Sequence, residues 1–120
     1  RKALEQVIAN LPLRPPVKQC LVHGDFYIRH LLVGEERELV GVIDWGDLHV
    51  GDPAIDLAIA HSFLPAGAHS SFKETYGEIS DETWGLAKLR AIHSSSVILL
   101  FGHHSGDAAL VDEGGRSLLL

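Results

Sequence analysis

The chain of 120 residues has a single cysteine and fewer basic than acidic side chains. Because Cys20 has no partner in the chain, it cannot form an internal disulfide, which fits a reducing cytoplasm. Ten Lys and Arg residues against sixteen Asp and Glu residues give a formal net charge of −6. That field has the wrong sign for nucleic acid or an anionic membrane as principal partner, and it favours a divalent metal or a cationic small molecule.

Long hydrophobic runs and a leader segment are also missing. The longest apolar run, Val97 to Phe101, is far shorter than the roughly 20 residues that a membrane-spanning helix needs. No charged and then apolar stretch follows Arg1, so we expect no signal peptide and a cytoplasmic location. With 46% apolar residues the chain can bury a core, and its length suits one domain, which we interpret as an excerpt from a longer protein.

The spacing of apolar residues predicts an α+β domain that is mostly helical. The predicted elements are a helix over 2–11, a strand over 19–23, a hairpin of strands 30–33 and 39–43, a helix over 54–63 that Asp52 caps, a short helix over 70–76, and a long helix that Ser80 caps. The long helix carries a stripe at spacings of three and four, formed by Trp84, Ala87, Ala91, Ser95, Ile98 and Phe101. For residues 106–120 we predict a final helix broken at Gly114-Gly115.

Polar residues follow the ends of the predicted strands. Asp25 comes after the first strand, His30 begins the second, and Asp44 closes the third. Antiparallel pairing of the hairpin puts His30 and Asp44 at the same end of it. A carboxylate base, two potential metal ligands and a cation are the parts that phosphoryl transfer needs, because that reaction depends mainly on positioning and on neutralising phosphate charge.

Two linked motifs at these positions resemble the aminoglycoside phosphotransferase family. They are His23-Gly-Asp25 followed by His30-Leu-Leu-Val33, and Ile43-Asp44-Trp45 followed by Gly51-Asp-Pro-x-x-Asp56-Leu-Ala58. The resemblance covers residues 20–58. It implies the C-terminal lobe of a protein-kinase-like fold, in which a small β-hairpin carries the catalytic and metal loops. The implied reaction moves the γ-phosphoryl group of ATP or GTP, with Mg²⁺, to a hydroxyl of an aminoglycoside-like or macrolide antibiotic or of a metabolite.

The resemblance also implies roles for individual residues. Asp25 would accept the proton of the substrate hydroxyl, and Asp44 would bind the metal. His30 stands where most members have Asn, and in having His at this position the chain resembles the macrolide phosphotransferase branch. Imidazole is a poorer Mg²⁺ ligand than a carbonyl or carboxylate oxygen, so His30 is either a ligand or a histidine hydrogen-bonded within the structure.

Four further residues complete the predicted site. His23 and Asp56 match positions that brace the catalytic loop, although Asp56 has the alternative of being a solvated helix carboxylate. Trp45 either lines the substrate cleft or packs into the core. Asp47 either forms part of an acidic substrate wall or is simply exposed.

A nucleotide-clamping N-terminal lobe is not recognisable in the sequence. No Gly-x-Gly-x-x-Gly motif is present, and the segment Gly102 to Gly106 follows a helix rather than joining a strand to one. We therefore predict that residues 1–120 are the catalytic lobe alone, inactive in isolation. One alternative is a degenerate kinase lobe that binds without catalysis. Another is a metal-dependent hydrolase, in which three or four of the residues His23, Asp25, His30 and Asp44 would have to converge on one ion.

Overall fold

The computed structural model describes residues 19–120, where two small antiparallel sheets precede four α-helices. The helix predicted over 2–11 lies outside the described residues. Strand β1 (Cys20–Val22) pairs with β4 (His49–Gly51), so that Leu21 lies opposite Val50. Because β4 follows the predicted hairpin and β1 leads into the loop around Asp25, this pairing holds the end of the hairpin segment next to that loop.

The predicted hairpin is confirmed. Strand β2 (Leu31–Val33) pairs with β3 (Leu39–Val42), with an irregularity between Leu32 and Val33. The turn is closed where the Gly34 amide donates to the Glu38 carbonyl at 2.9 Å. His30 belongs to a short 3₁₀ turn over Ile28–His30 rather than to the strand itself.

The helices begin and end where the capping residues indicate. They are α1 (Ala54–Ser62), α2 (His69–Tyr76), α3 (Asp81–Ser105) and α4 (Ala108–Ser117). The Asp52 carboxylate accepts from the Ala54 amide at 2.9 Å, and the Ser80 hydroxyl accepts from the Thr83 amide at 3.2 Å. Satisfying these free amides fixes the first turns of α1 and α3, as predicted.

Small side chains let α1, α3 and α4 approach closely. Ala54, Leu57 and Ala87 form a buried cluster against which Phe72 and Ile79 pack. The predicted stripe on α3 is correct at Ala87, Ala91 and Ser95, which are buried, but wrong at Phe101, which is 62% exposed. Gly102 is buried in its place, because α4 crosses α3 too closely there for a side chain.

The predicted break at Gly114-Gly115 is wrong. Helix α4 runs through both glycines to Ser117. Gly114 faces α3, and a Cβ there would lie 2.7 Å from the Leu99 amide nitrogen and 2.8 Å from the Ser95 carbonyl oxygen. The glycine thus serves close helix packing, and the packing compensates for its low helix propensity. Within residues 19–120, no helix is long and apolar enough to cross a membrane.

Candidate active site

The loop that follows β1 carries Asp25 and has little freedom. Gly24 has φ +90°, and an added Cβ would collide with the backbone of Asp47. Only glycine combines that dihedral angle with such a close approach. The loop therefore lies directly against the turn that follows β3, while the Asp25 side chain stays 58% exposed.

Asp56 fastens this loop to helix α1. Its two carboxylate oxygens accept separately from the His23 amide at 2.6 Å and the Gly24 amide at 3.0 Å. Hydrogen bonds to an ionised acceptor are stronger than those between neutral groups. This is the contact that loop support requires, whereas a solvated helix carboxylate would not make it.

His23 is buried and connects the two loops of the site. Its Nδ1 accepts from the Asp25 amide at 3.3 Å, so the ring proton lies on Nε2, which donates to the Ile43 carbonyl at 2.8 Å. Both ring nitrogens are thus occupied, and His23 has no lone pair for a metal. His23 therefore drops out of the ligand set of the hydrolase hypothesis. That hypothesis is contradicted because no group of three or more potential metal ligands occurs within the described part of the chain.

His30 lies between the two aspartates. Its Nδ1 donates to the Asp25 carbonyl at 2.7 Å, and its Nε2 lies 3.5 Å from an Asp44 carboxylate oxygen. With the proton on Nδ1, the Nε2 lone pair faces a carboxylate, and two acceptors stand opposite each other. The space between them suits a positive charge, either a proton on Nε2 or a metal ion.

The backbone at Asp44 is unusual. Asp44 has φ 63° and ψ 59°, the left-handed conformation that few residues other than Gly, Asn and Asp adopt. The Ile43 amide donates to the His30 carbonyl at 3.0 Å, which extends the hairpin pairing up to this residue. Sparsely populated conformations of this kind are typical of functional sites that the surrounding structure holds in place.

The donor set fits a magnesium-nucleotide site in part. Mg²⁺ commonly takes one or two carboxylates and completes its coordination with substrate phosphates and water. Asp44 supplies such an oxygen, and His30 supplies nitrogen, which suits softer divalent metals better. Asp44 and His30 are therefore the residues that would hold such an ion, and a polyphosphate would have to complete its coordination.

Trp45 does not pack into the core. It is 51% exposed in a 3₁₀ turn, where its ring lies 4.7 Å from that of His23 and its Nε1 donates to the Val42 carbonyl at 2.9 Å. The neighbouring Asp47 is exposed, and its carbonyl accepts from His49. Both residues therefore lie at the surface, beside the loop that carries Asp25. Their contribution to a substrate wall stays a prediction.

Sequence reasoning did not select Tyr27, although it lies inside the loop between Asp25 and His30. Its ring meets the His30 ring edge-on at 4.5 Å, and partial burial raises the pKa of its hydroxyl. Its place in the sequence between Asp25 and His30 was the one signal that could have pointed to it. Tyr27 thus packs against the imidazole that lies between Asp25 and Asp44.

The two small sheets, the four helices and the loops that meet at Asp25 and Asp44 agree with the predicted C-terminal lobe of a protein-kinase-like fold. A family model described as the phosphotransferase enzyme family, APH, matches residues 1–92, and the chain belongs to this family. Membership of the aminoglycoside phosphotransferase family, predicted from the motifs, is thereby confirmed.

Curated relatives match over part of their lengths. Acyl-CoA dehydrogenase family member 10 of Mus musculus is 41% identical over 73 residues, which are 58% of this chain and 7% of that protein. Viomycin phosphotransferase of Streptomyces vinaceus is 36% identical over 61 residues, which are 48% of this chain and 21% of that protein. The matches thus span about a fifth or less of these two relatives.

Two solved structures share the fold. Macrolide 2′-phosphotransferase type I superposes with a TM-score of 0.56 at 26% identity, covering 86% of this chain and 36% of that one. The GDP complex of an aminoglycoside 2′-phosphotransferase mutant superposes with a TM-score of 0.58 at 22% identity, covering 98% and 43%. The predicted class, a mostly helical α+β lobe of the kinase-like type, is confirmed.

Proposed function

We propose that the intact protein carrying this chain is a cytoplasmic small-molecule kinase. It transfers the γ-phosphoryl group of ATP or GTP to a hydroxyl group, and residues 20–58 carry the chemistry. The observation that supports this most is the line of contacts from Asp25 through His30 to Asp44, with 2.7 Å and 3.5 Å between the contacting atoms. It brings a carboxylate base next to a site for a metal-bound polyphosphate.

Asp25 is the proposed catalytic base. As the acceptor oxygen forms its bond to the γ-phosphorus, the bond from that phosphorus to the bridging β–γ oxygen breaks, and its electron pair stays on the departing nucleoside diphosphate. The acceptor's proton passes to the exposed Asp25 carboxylate, which later releases it to water. The products are a phosphate monoester and a nucleoside diphosphate, so atoms and charge balance.

Asp44 and His30 are the proposed metal-holding residues. Mg²⁺ at this position would neutralise charge on the phosphates during transfer. His23 and Asp56 hold the loop in place, and Trp45 and Asp47 border the site as a proposed part of the substrate wall. The clamping lobe for the nucleotide is proposed to lie outside residues 1–120, which is supported by the 36% and 43% coverage of the two solved relatives.

The test replaces Asp25 by alanine and by asparagine in the intact protein. Loss of the base should lower turnover by about 10²–10⁴-fold, while binding of the metal–nucleotide complex changes little. Transfer from ATP and from GTP is measured with radiolabelled γ-phosphate in Mg²⁺ and in Mn²⁺, and nucleotide binding is measured by calorimetry.

The matched control is Asp112→Asn, which removes an exposed carboxylate of α4 that pairs with Arg116. This variant should retain full turnover. Undiminished turnover in Asp25→Ala would refute the assignment. A wild-type protein that binds nucleotide without transferring phosphate to any alcohol would instead be the non-catalytic binding module.

A further inference from the structure

A cavity of about 360 Å³ opens beside Asp25 and is lined mainly by apolar side chains. It lies between the catalytic loop, helix α1 and helix α3. Phe26 belongs to the loop, Ile55 and Ala58 come from α1, and Val97 and Ile98 come from α3. A cavity of this size accommodates the reacting part of a drug-sized molecule, and its position beside the proposed base puts a bound hydroxyl near Asp25.

The charge in this cavity is low. Asp25 is the one carboxylate among the described residues that line it, and its polar neighbours are Tyr27, Ser62, His93 and Ser94. Hydroxyl and imidazole groups can hydrogen-bond to neutral oxygens of a ligand. In the proposed transfer the Asp25 carboxylate is taken by the reacting hydroxyl, and the other described lining residues provide no counter-charge for an ammonium group further along the ligand.

The other four aspartates near the site, Asp44, Asp47, Asp52 and Asp56, do not supply that counter-charge either. The Asp56 carboxylate is engaged by two loop amides, and the Asp52 carboxylate accepts from the first turn of α1. Asp44 faces His30. None of these three, nor Asp47, lines the cavity beside Asp25, so within residues 19–120 the excess of acidic side chains does not make this cavity anionic.

We propose that this cavity binds the acceptor, and that the acceptor is a neutral and largely apolar alcohol rather than a polycation. The inference rests on the proposed function, since it gives the substrate class of the same transfer step. The reacting hydroxyl lies at Asp25, which takes its proton as the new oxygen–phosphorus bond forms, and the remainder of the molecule fills the space between α1 and α3. A neutral ring gains by covering the apolar walls of this open cavity, whereas an ammonium group loses water there and finds no second carboxylate among the described lining residues.

Two alcohols of equal size provide the test. They are 4-cyclohexylcyclohexanol, which is neutral, and 4-(4-aminocyclohexyl)cyclohexanol, which carries one ammonium group. With the intact protein and a metal–nucleotide complex, we expect kcat/KM for the neutral alcohol to exceed that for the amino alcohol by at least tenfold. Binding of each alcohol in the presence of the nucleoside diphosphate is measured in parallel by calorimetry.

Variants on α3 connect the preference to the cavity. Val97→Trp fills the space and should lower kcat/KM for the neutral alcohol at least tenfold. The control Leu100→Trp adds the same side chain at a position of α3 that is 67% exposed and does not line the cavity, and should leave kcat/KM unchanged. Ser94→Asp adds a counter-charge and should shift the preference toward the amino alcohol at least tenfold.

The outcomes separate this inference from the proposed function. Equal or better use of the amino alcohol, or equal effects of Val97→Trp and Leu100→Trp, overturns the neutral acceptor and leaves the kinase assignment intact. Failure of both alcohols to bind overturns the neutral acceptor in the same way. If the neutral alcohol binds with the expected preference and Val97→Trp abolishes that binding, but the wild-type protein transfers no phosphate to it or Asp25→Ala transfers it undiminished, the kinase assignment fails and the binding pocket stands.

Discussion

At the scale of single residues, the site depends on which groups donate and which accept. The carbonyls of Ile43 and Asp25 determine where the ring protons of His23 and His30 lie, and neither carbonyl is visible as a motif. The side chains that the motifs singled out, His23, Asp25, His30 and Asp44, do lie together, while their catalytic and metal-binding roles stay a prediction. The motifs could not show that His23 has no free nitrogen, because that depends on backbone atoms twenty residues apart.

Asp56 allows a direct measurement of what loop support contributes. In Asp56→Asn one oxygen still accepts, but the new amide group directs a donor at the second loop N–H. Leaving that amide unsatisfied should lower the free energy of unfolding by about 1.5–3 kcal/mol, and turnover should fall as well because Asp25 is no longer held. Urea denaturation and steady-state kinetics on the intact protein measure the two effects.

Asp52→Asn is the matched control for this variant. Asparagine caps a helix about as well as aspartate, so the free energy of unfolding should change by less than about 0.5 kcal/mol. Equal effects of the two substitutions would show that the carboxylate of Asp56 has no special part in holding the loop.

At the scale of elements, the helix ends could be predicted from capping residues, whereas the continuity of α4 depends on its packing against α3. Ser80 and Gly77 mark helix ends in the sequence as in the structure, because caps act within one turn. The continuity of α4 was not predictable locally, since two adjacent glycines usually interrupt a helix. Its reason lies on α3, where the backbone at Leu99 approaches Gly114, and no pattern within α4 reveals this.

The two glycines of α4 should therefore respond in opposite directions to the same change. Gly114→Ala forces a Cβ against the backbone of α3 and should lower the free energy of unfolding by about 1–3 kcal/mol. Gly115→Ala has nothing within 4 Å and should raise it by up to about 1 kcal/mol through helix propensity. Thermal unfolding of both variants measures the difference, and stabilisation by both would contradict the close packing of α3 and α4.

At the scale of the whole molecule, one aromatic cluster joins three helices. His61 of α1 lies 5.0 Å from the ring of His69 in α2 and 4.3 Å from that of Trp84 in α3, and Lys73 stands over Trp84. Among the described residues, the buried Nε2 of His61 has no hydrogen-bond partner. Burial, together with the positive potential from His69, Lys88 and Lys73, lowers the pKa of His61 from its ordinary 6.5.

This cluster predicts a loss of stability on acidification. The unfolded chain binds a proton at His61 near pH 6.5, whereas the folded chain binds it at lower pH, so the unfolded state holds more protons in between. Stability therefore falls as the pH drops through 6.5 toward the lowered pKa. His61→Phe should remove this part of the loss, which comparison of urea midpoints at about pH 8 and pH 5.5 for the variant and the wild type would detect. An unchanged difference between the two pH values would exclude His61 as its source.

The left-handed backbone at Asp44 has a consequence for how such a chain can decay in evolution. Single-base changes of an aspartate codon lead to asparagine and to glycine, and both residues adopt this conformation without strain. Either change removes the negative charge at the proposed metal position and should leave the turn after β3 intact. Selection for folding alone does not remove such changes. A lineage can therefore lose the proposed metal binding of this lobe and keep its fold.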